Sequence, residues 1–254
     1  MKKLILFASA LCMSVCAMAQ SEFYVYKKDG SSVQFTIADV DSISFTAPAT
    51  GTGTANGHEW VDLGLPSGTK WATCNVGATK PEEYGDYYAW GETETKTTYN
   101  WSTYKWCENK KISTSGYPLD FTKYNTSSSY GTVDNKTTLE LEDDAARANR
   151  GDAWRMPTDA EWTELRENCT WTWTTKNGVN GYEVKSKTNG NSIFLPAAGY
   201  RSNDDLLFAG NYGFYWSSSL YSDPYYAWDV YFYSDYVGRN SYYRCYGLSV
   251  RPVL

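Results

Sequence analysis

The sequence predicts an α+β fold of two helices, short antiparallel strands and long loops, preceded by a small β-hairpin segment. Three observations predict it. Ala227-Trp228-Asp229-Val230-Tyr231-Phe232-Tyr233 alternates with the period of two expected of a half-buried strand. Thr158-Asp159-Ala160-Glu161 is a capping box opening a helix, with Thr158 as N-cap and Glu161 reaching back. Asp29-Gly30, between two alternating runs, is a favoured tight turn of a hairpin.

In chain order, residues 1–19 read as a secretory signal: Lys2 and Lys3, an apolar run from Leu4, and the small-residue cleavage site Ala17-Met18-Ala19. The mature protein is expected to be exported, either secreted or at the cell surface, with the periplasm as the remaining compartment. Lipidation is disfavoured, because neither Leu11 nor Val15 is the small residue that precedes a lipidated cysteine. No later apolar run approaches the roughly twenty residues that span a bilayer. Residues 20–46 form the N-terminal β segment, with Phe23-Tyr24-Val25-Tyr26 and Val33-Gln34-Phe35-Thr36-Ile37 as its strands. Residues 47–56, rich in Gly and Thr with Pro48, read as a linker, so the main domain spans 57–254.

Within that domain, Glu59-Trp60-Val61-Asp62-Leu63 and Thr69-Lys70-Trp71-Ala72-Thr73-Cys74 are expected to pair across Pro66-Ser67-Gly68. Residues 79–135 show no sustained period and read as long loops pinned by Trp90, Trp101 and Trp106. A first helix is expected over 139–149 and a second after Thr158, with Trp162 and Leu165 as its apolar stripe. Ser192-Ile193-Phe194-Leu195-Pro196 reads as a buried strand ending in a turn.

Loss of the two signal lysines takes the formal net charge from -6 to -8. With no basic stripe, nucleic acid is not an expected partner. Cys74, Cys107, Cys169 and Cys245 allow one or two disulfides, with three pairings if all four join, and match no zinc spacing. Cys245 is expected as an unpaired surface thiol. His58 is the only histidine and lies beside the linker, so no Ser-His-Asp or Cys-His arrangement is expected and the protein is read as no enzyme. Asp143-Asp144 with Glu140 and Glu142 has the oxygen donors of a calcium site, yet reads better as a solvated helical face, so neither metal nor cofactor is expected.

The tail holds the densest signal: nine of the twenty-six residues in 221–246 are Tyr, and most of the rest are Ser, Asp, Gly, Asn or Arg. That mixture suits a binding surface, because Tyr offers amphipathic area at low entropy and the small polar residues adapt their hydrogen bonds. In the alternating strand, Trp228, Val230 and Phe232 are expected in the core and Asp229, Tyr231 and Tyr233 outside, followed by a turn at Ser234-Asp235. Residues 236–246, lacking clean alternation, are expected as a loop or irregular strand.

Trp71-Ala72-Thr73-Cys74-Asn75-Val76-Gly77-Ala78, Tyr88-Ala89-Trp90-Gly91-Glu92, Trp154-Arg155-Met156-Pro157-Thr158, Phe194-Leu195-Pro196-Ala197-Ala198-Gly199, Tyr215-Trp216-Ser217-Ser218-Ser219 and Val250-Arg251-Pro252-Val253 stand in the order of a known family. Residues 57–254 resemble the Fibrobacter succinogenes major paralogous domain. The resemblance implies a C-type-lectin-like fold related to the formylglycine-generating enzyme, and likeness to variable proteins of diversity-generating retroelements, whose C-terminal repeat is rewritten at AAY codons. Such rewriting never yields Trp, Lys, Glu, Gln or Met, and in 221–246 only Trp228 breaks that rule. The implied variable, ligand-binding positions are Tyr221, Tyr225, Tyr226, Asp229, Tyr231, Tyr233, Tyr236, Gly238, Asn240, Ser241, Tyr242, Tyr243, Cys245 and Tyr246. Trp216, Trp228, Phe232, Arg244, Val250 and Arg251, with Ser234, Val237 and Gly247, would be scaffold. The implied partner is an unknown protein or glycan. A fixed-sequence adhesin or structural module of the family is the second expectation. A degenerate oxidoreductase is the third, although that activity uses a cysteine pair and the tail has Cys245 alone.

Overall fold

The computed structural model describes residues 22–27, 29–37, 51–108, 111 and 113–254. The expected signal at 1–19 lies outside the described residues. The chain divides into two compact units, Met1–Pro48 and Ala49–Leu254. In the first, β1 (Glu22–Tyr26) pairs antiparallel with β2 (Ser32–Thr36) in the register Glu22↔Thr36 to Tyr26↔Ser32. Gly30 takes φ 84° in the turn, and the Asp29 carboxylate accepts from the backbone N–H and hydroxyl of Ser31.

The second unit is an α+β assembly. β3 (Thr52–Ala55), β4 (His58–Asp62) and β5 (Lys70–Ala72) form one antiparallel sheet. The expected linker is thus corrected: residues 52–55 are an edge strand, placed by the tight turn at Asn56 (φ 49°) and Gly57 (φ 76°). Among the described residues of 79–135, β6 (Tyr87–Tyr88) is the one named strand, and the others form turns, isolated bridges and short 3-10 helices around the buried Trp90.

The first helix is shorter than expected. A 3-10 turn covers Leu141–Asp143, and α1 runs only Ala145–Arg150, because the Asp144 side chain caps it by accepting from the N–H groups of Ala146 and Arg147. Nor are Asp143 and Asp144 solvated: both are buried. α2 (Asp159–Asn168) carries the capping box at Thr158 and Glu161 and buries Trp162 and Leu165. Burial alone would raise the Glu161 pKa, but the Arg155 fork and the Thr158 N–H pull it down to about 2. Glu161 therefore contributes stability above the ordinary glutamate range that is lost as pH falls toward 2. Glu161→Gln is expected to cost about 1–2 kcal/mol at neutral pH and to flatten this acid limb, as read by denaturant unfolding against pH.

β7 (Cys169–Lys176), β8 (Val179–Ser186) and β9 (Ser192–Pro196) form a second antiparallel sheet. β10 (Tyr200–Ser202) pairs antiparallel with β11 (Asp205–Leu207) across a turn at Asn203 and Asp204. The largest sheet has the order β14-β13-β12-β15-β6, with β12 at Gly213–Leu220, β13 at Tyr226–Tyr233, β14 at Tyr236–Tyr243 and β15 at Leu248–Ser249. Alternation along β12 and β13 makes it two-sided: Tyr215, Val230 and Phe232 enter a core with Trp71, Trp162 and Leu195, whereas Phe214, Trp216 and Ala227 enter another with Trp90, Leu139 and Val250. Indole N–H groups tie the layers, Trp216 donating to Tyr88 O, Trp162 to Trp216 O and Trp90 to Ser217 O. No helix among the described residues is long and apolar enough to cross a membrane.

Candidate functional site

After the Ser234-Asp235 turn, where a loop or irregular strand is expected, the chain forms a regular strand: β14 pairs with β13 residue for residue from Tyr233↔Tyr236 to Tyr226↔Tyr243. Main-chain pairing, rather than side-chain alternation, sets its course, which is why its sequence carries no period. The pairing sorts the fourteen candidate positions. Asp229, Tyr231, Tyr233, Tyr236, Gly238, Asn240 and Tyr242 share one face, whereas Tyr226, Ser241 and Tyr243 share the other. Tyr221 and Tyr225 lie ahead of β13, and Cys245 and Tyr246 follow β14. The candidates are therefore spread over both faces of the hairpin.

On the first face the rings touch in series. Tyr212 lies parallel to Tyr231 at 5.8 Å and 8°, Tyr233 stacks on Tyr236 at 5.5 Å, and Tyr231 meets Phe214 at 4.9 Å. Tyr242 packs edge-on against Tyr200 at 4.9 Å, and Tyr246 stacks on Tyr200 at 5.6 Å. Gly238 leaves room for this layer: a Cβ there would stand 2.1 Å from the Tyr236 hydroxyl. Most of these rings are half-buried, and Tyr236 is 45% exposed. Burial, followed by neighbouring phenols, raises the Tyr231 pKa, so this ring presents a neutral hydroxyl at physiological pH.

On the other face Tyr226 stacks on Tyr243 at 4.6 Å, and the Tyr243 hydroxyl bonds that of Tyr117 at 2.6 Å. Tyr225 sits among Trp101, Phe121, Tyr117 and Tyr130, and its pKa is pushed up to about 12 by burial and by Tyr130. Trp228 departs from its expected core placement. It is half-buried, with Tyr221 at 4.6 Å and the Arg239 guanidinium over its ring, and Arg239 in turn pairs with Asp159.

Two candidates contradict a surface role. Asp229, expected outside, is 1% exposed, and neither carboxyl oxygen has a hydrogen-bond partner among the described residues. Desolvation raises its pKa well above the carboxylate range; Asn240, opposite on β14, moderates the rise without reaching hydrogen-bond geometry. Cys245 is likewise buried, and burial drives its thiol pKa up, which suits neither a nucleophile nor a metal ligand. The disulfides that the four cysteines would allow do not form: Cys74, Cys169 and Cys245 are buried thiols, Cys245 unpaired as expected but not at the surface, and Cys107 Sγ donates to Asp120.

The scaffold positions are anchored by two buried guanidinium groups. Arg244 donates to the Tyr104 hydroxyl and to the carbonyls of Lys123, Tyr124 and Pro224. Arg251 donates to Asn75 and to the carbonyls of Ala72, Thr73 and Phe194. The acidic cluster is an ion-pair knot: Lys123 Nζ reaches Glu140, Glu142 and Asp143, filling the place a cation would take. His58 packs edge-on to Trp154 at 6.4 Å. Phe208, Tyr212, Tyr200 and Tyr117 lie outside the tail and carry no signal for it in the sequence; tertiary packing brings their rings to it.

Residues 170–253 match a family described as a domain of unknown function (DUF8237), a span that takes in almost all of β7 and the whole of β8 to β15. Neither the curated proteins nor the solved structures contain a match to the chain.

Proposed function

We propose that the chain is an exported binding protein with a C-type-lectin-like frame, whose C-terminal hairpin displays a diversified tyrosine surface to a protein or glycan. The observation that carries this reading is the run of stacked, half-exposed rings of Tyr212, Tyr231, Tyr233 and Tyr236 on one face of a regular hairpin. Phenol rings bring area and a hydrogen-bonding tip together, and rings already packed on one another lose little freedom on binding. The mechanism is recognition rather than catalysis.

A fixed-sequence adhesin or structural module of the same family is the second reading, favoured by the burial of Asp229, Gly238 and Cys245, positions where most replacements would disturb packing. The DNA sequence of the locus separates the two. A near-copy of the 221–246 coding stretch with AAY at the candidate positions, beside a reverse-transcriptase gene, supports diversification; candidate codons ending in A or G support the fixed module.

Binding to a panel of immobilised proteins and glycans tests the surface itself. The variant Tyr231→Ala/Tyr233→Ala/Tyr236→Ala is expected to weaken binding at least about tenfold, since central aromatics dominate such interfaces. Tyr226→Ala/Tyr243→Ala, on the opposite face, is expected to change it far less. Undiminished binding by the folded triple variant would remove the site.

A further inference from the structure

We infer that Phe208, outside the tail, is a fixed anchor of the same binding face, and that this face fits a protein surface presenting basic side chains beside aliphatic ones. The inference rests on the reading of the tyrosine face as a binding surface. Phe208 combines two unfavourable properties: it is 52% exposed, and it holds φ 58° in the left-handed region that bulky side chains avoid. Its neighbours impose that conformation. The N–H groups of Asn211 and Tyr212 both donate to Phe208 O, and Gly199 lies so close beneath that a Cβ would stand 2.1 Å from Leu207 O.

Gly or Asn would adopt this backbone with less strain, and an aromatic ring so exposed returns little by burial. What the ring does is extend the layer. Phe208 contacts Tyr212 at 5.1 Å and Tyr200 at 6.0 Å, so it joins the Tyr212–Tyr231 side of the face to the Tyr200–Tyr246 side. Leu206, 39% exposed, stands two residues before it.

Charge identifies the partner. Asp205 begins the strand leading to Phe208, and Asp235 sits in the turn between Tyr233 and Tyr236; both are exposed. The neighbouring cations are committed elsewhere, Arg201 over the Tyr87 ring and Arg239 on Asp159. Aromatic rings with exposed carboxylates in the same chain segments, Asp205 before Phe208 and Asp235 between Tyr233 and Tyr236, complement Arg and Lys through cation–π contact and opposite charge. A neutral glycan stacks on rings but gains nothing from the carboxylates.

The test uses the mature protein and three probes: a short peptide alternating Arg and Leu, its Glu and Leu counterpart, and a neutral β-glucan. The basic peptide is expected to bind at least about tenfold tighter than the acidic one, more weakly as salt rises. Phe208→Asn is expected to weaken it about tenfold while the melting temperature holds or rises, because Asn tolerates the left-handed region. Phe208→Gly repeats the test should the Asn variant misfold. Asp205→Asn with Asp235→Asn is expected to remove most of the salt dependence. Preference for the acidic peptide or the glucan, binding of none of the probes, or basic-peptide binding unchanged in the Phe208 variants overturns the proposal. If the Phe208 variants are neutral while Tyr231→Ala/Tyr233→Ala/Tyr236→Ala abolishes binding, the tyrosine face stands and this anchor fails; if neither changes binding, both fail.

Discussion

Replacing Arg244 by Met is expected to destabilise the protein by roughly 3–5 kcal/mol, and replacing it by Lys by at least about half of that. The guanidinium is fully buried and meets no carboxylate among the described residues; it is held by one hydroxyl and three carbonyl oxygens, and it lies over Phe121 at 4.7 Å and Trp90 at 5.1 Å. Those acceptors come from positions 104, 123, 124 and 224, four points along otherwise irregular chain. A methionine fills the space but orphans all four, and each unpaired buried acceptor costs about 1 kcal/mol or more. A lysine keeps the charge yet cannot spread donors over such a fork. Denaturant unfolding of the two variants checks this. A loss below about 1 kcal/mol for Arg244→Met would mean that the loops hold without the guanidinium, helped by the backbone hydrogen bond from residue 244 N–H to Tyr225 O, which either variant keeps.

The residues that fixed their own neighbourhood were the ones legible beforehand. Thr158 and Glu161 cap α2 through local geometry, and Asp29-Gly30 turns a hairpin the same way. β7 and β8 carried an equally local signal, the Asn177-Gly178 turn with φ of 49° and 84°, which sequence reasoning passed over. β14 was different in kind. Its order comes from eight residue pairs with β13, a long-range term with no trace in its own pattern. The Asp143-Asp144 pair misled for a related reason: charge reads as exposure until the partners are seen, here Lys123 and Tyr124 for Asp143 and the α1 N-terminus and Met156 N–H for Asp144. For the candidate surface, alternation located β13 and put Asp229, Tyr231 and Tyr233 on one face, as the pairing has them, but left the positions of β14 undivided. Tyr231 and Tyr243 share a tail and a residue type but lie on opposite sides of the hairpin, an outcome that only register decides.

Asp229→Asn is expected to stabilise the protein by about 2–3 kcal/mol at neutral pH. Asp229 is buried, faces Trp216 and Asn240 across its two strand pairings, and adds its charge to the causes that raise the Tyr242 pKa. Its own pKa is raised, so the folded state holds the proton more tightly than the unfolded chain, where aspartate titrates near about 3.9. The unfolded state then binds fewer protons across the interval above that value, and stability falls as pH rises through it. The contribution is whole at acid pH and lost upward, opposite in sign to that of Glu161. Taking the difference between wild type and Asp229→Asn cancels Glu161 and the other carboxylates, so the two unfolding curves should converge near pH 4 and separate as pH increases. A difference that is flat with pH, or a destabilised variant, would mean that Asp229 is paired or hydrated in solution. The result also bears on diversification: if AAY codons for Asn are rewritten here, the template side chain at 229 is the one this substitution restores. At this position the template-coded residue should then be the more stabilising of the two, and rewriting at this buried position should change the fold's stability more than the character of its surface.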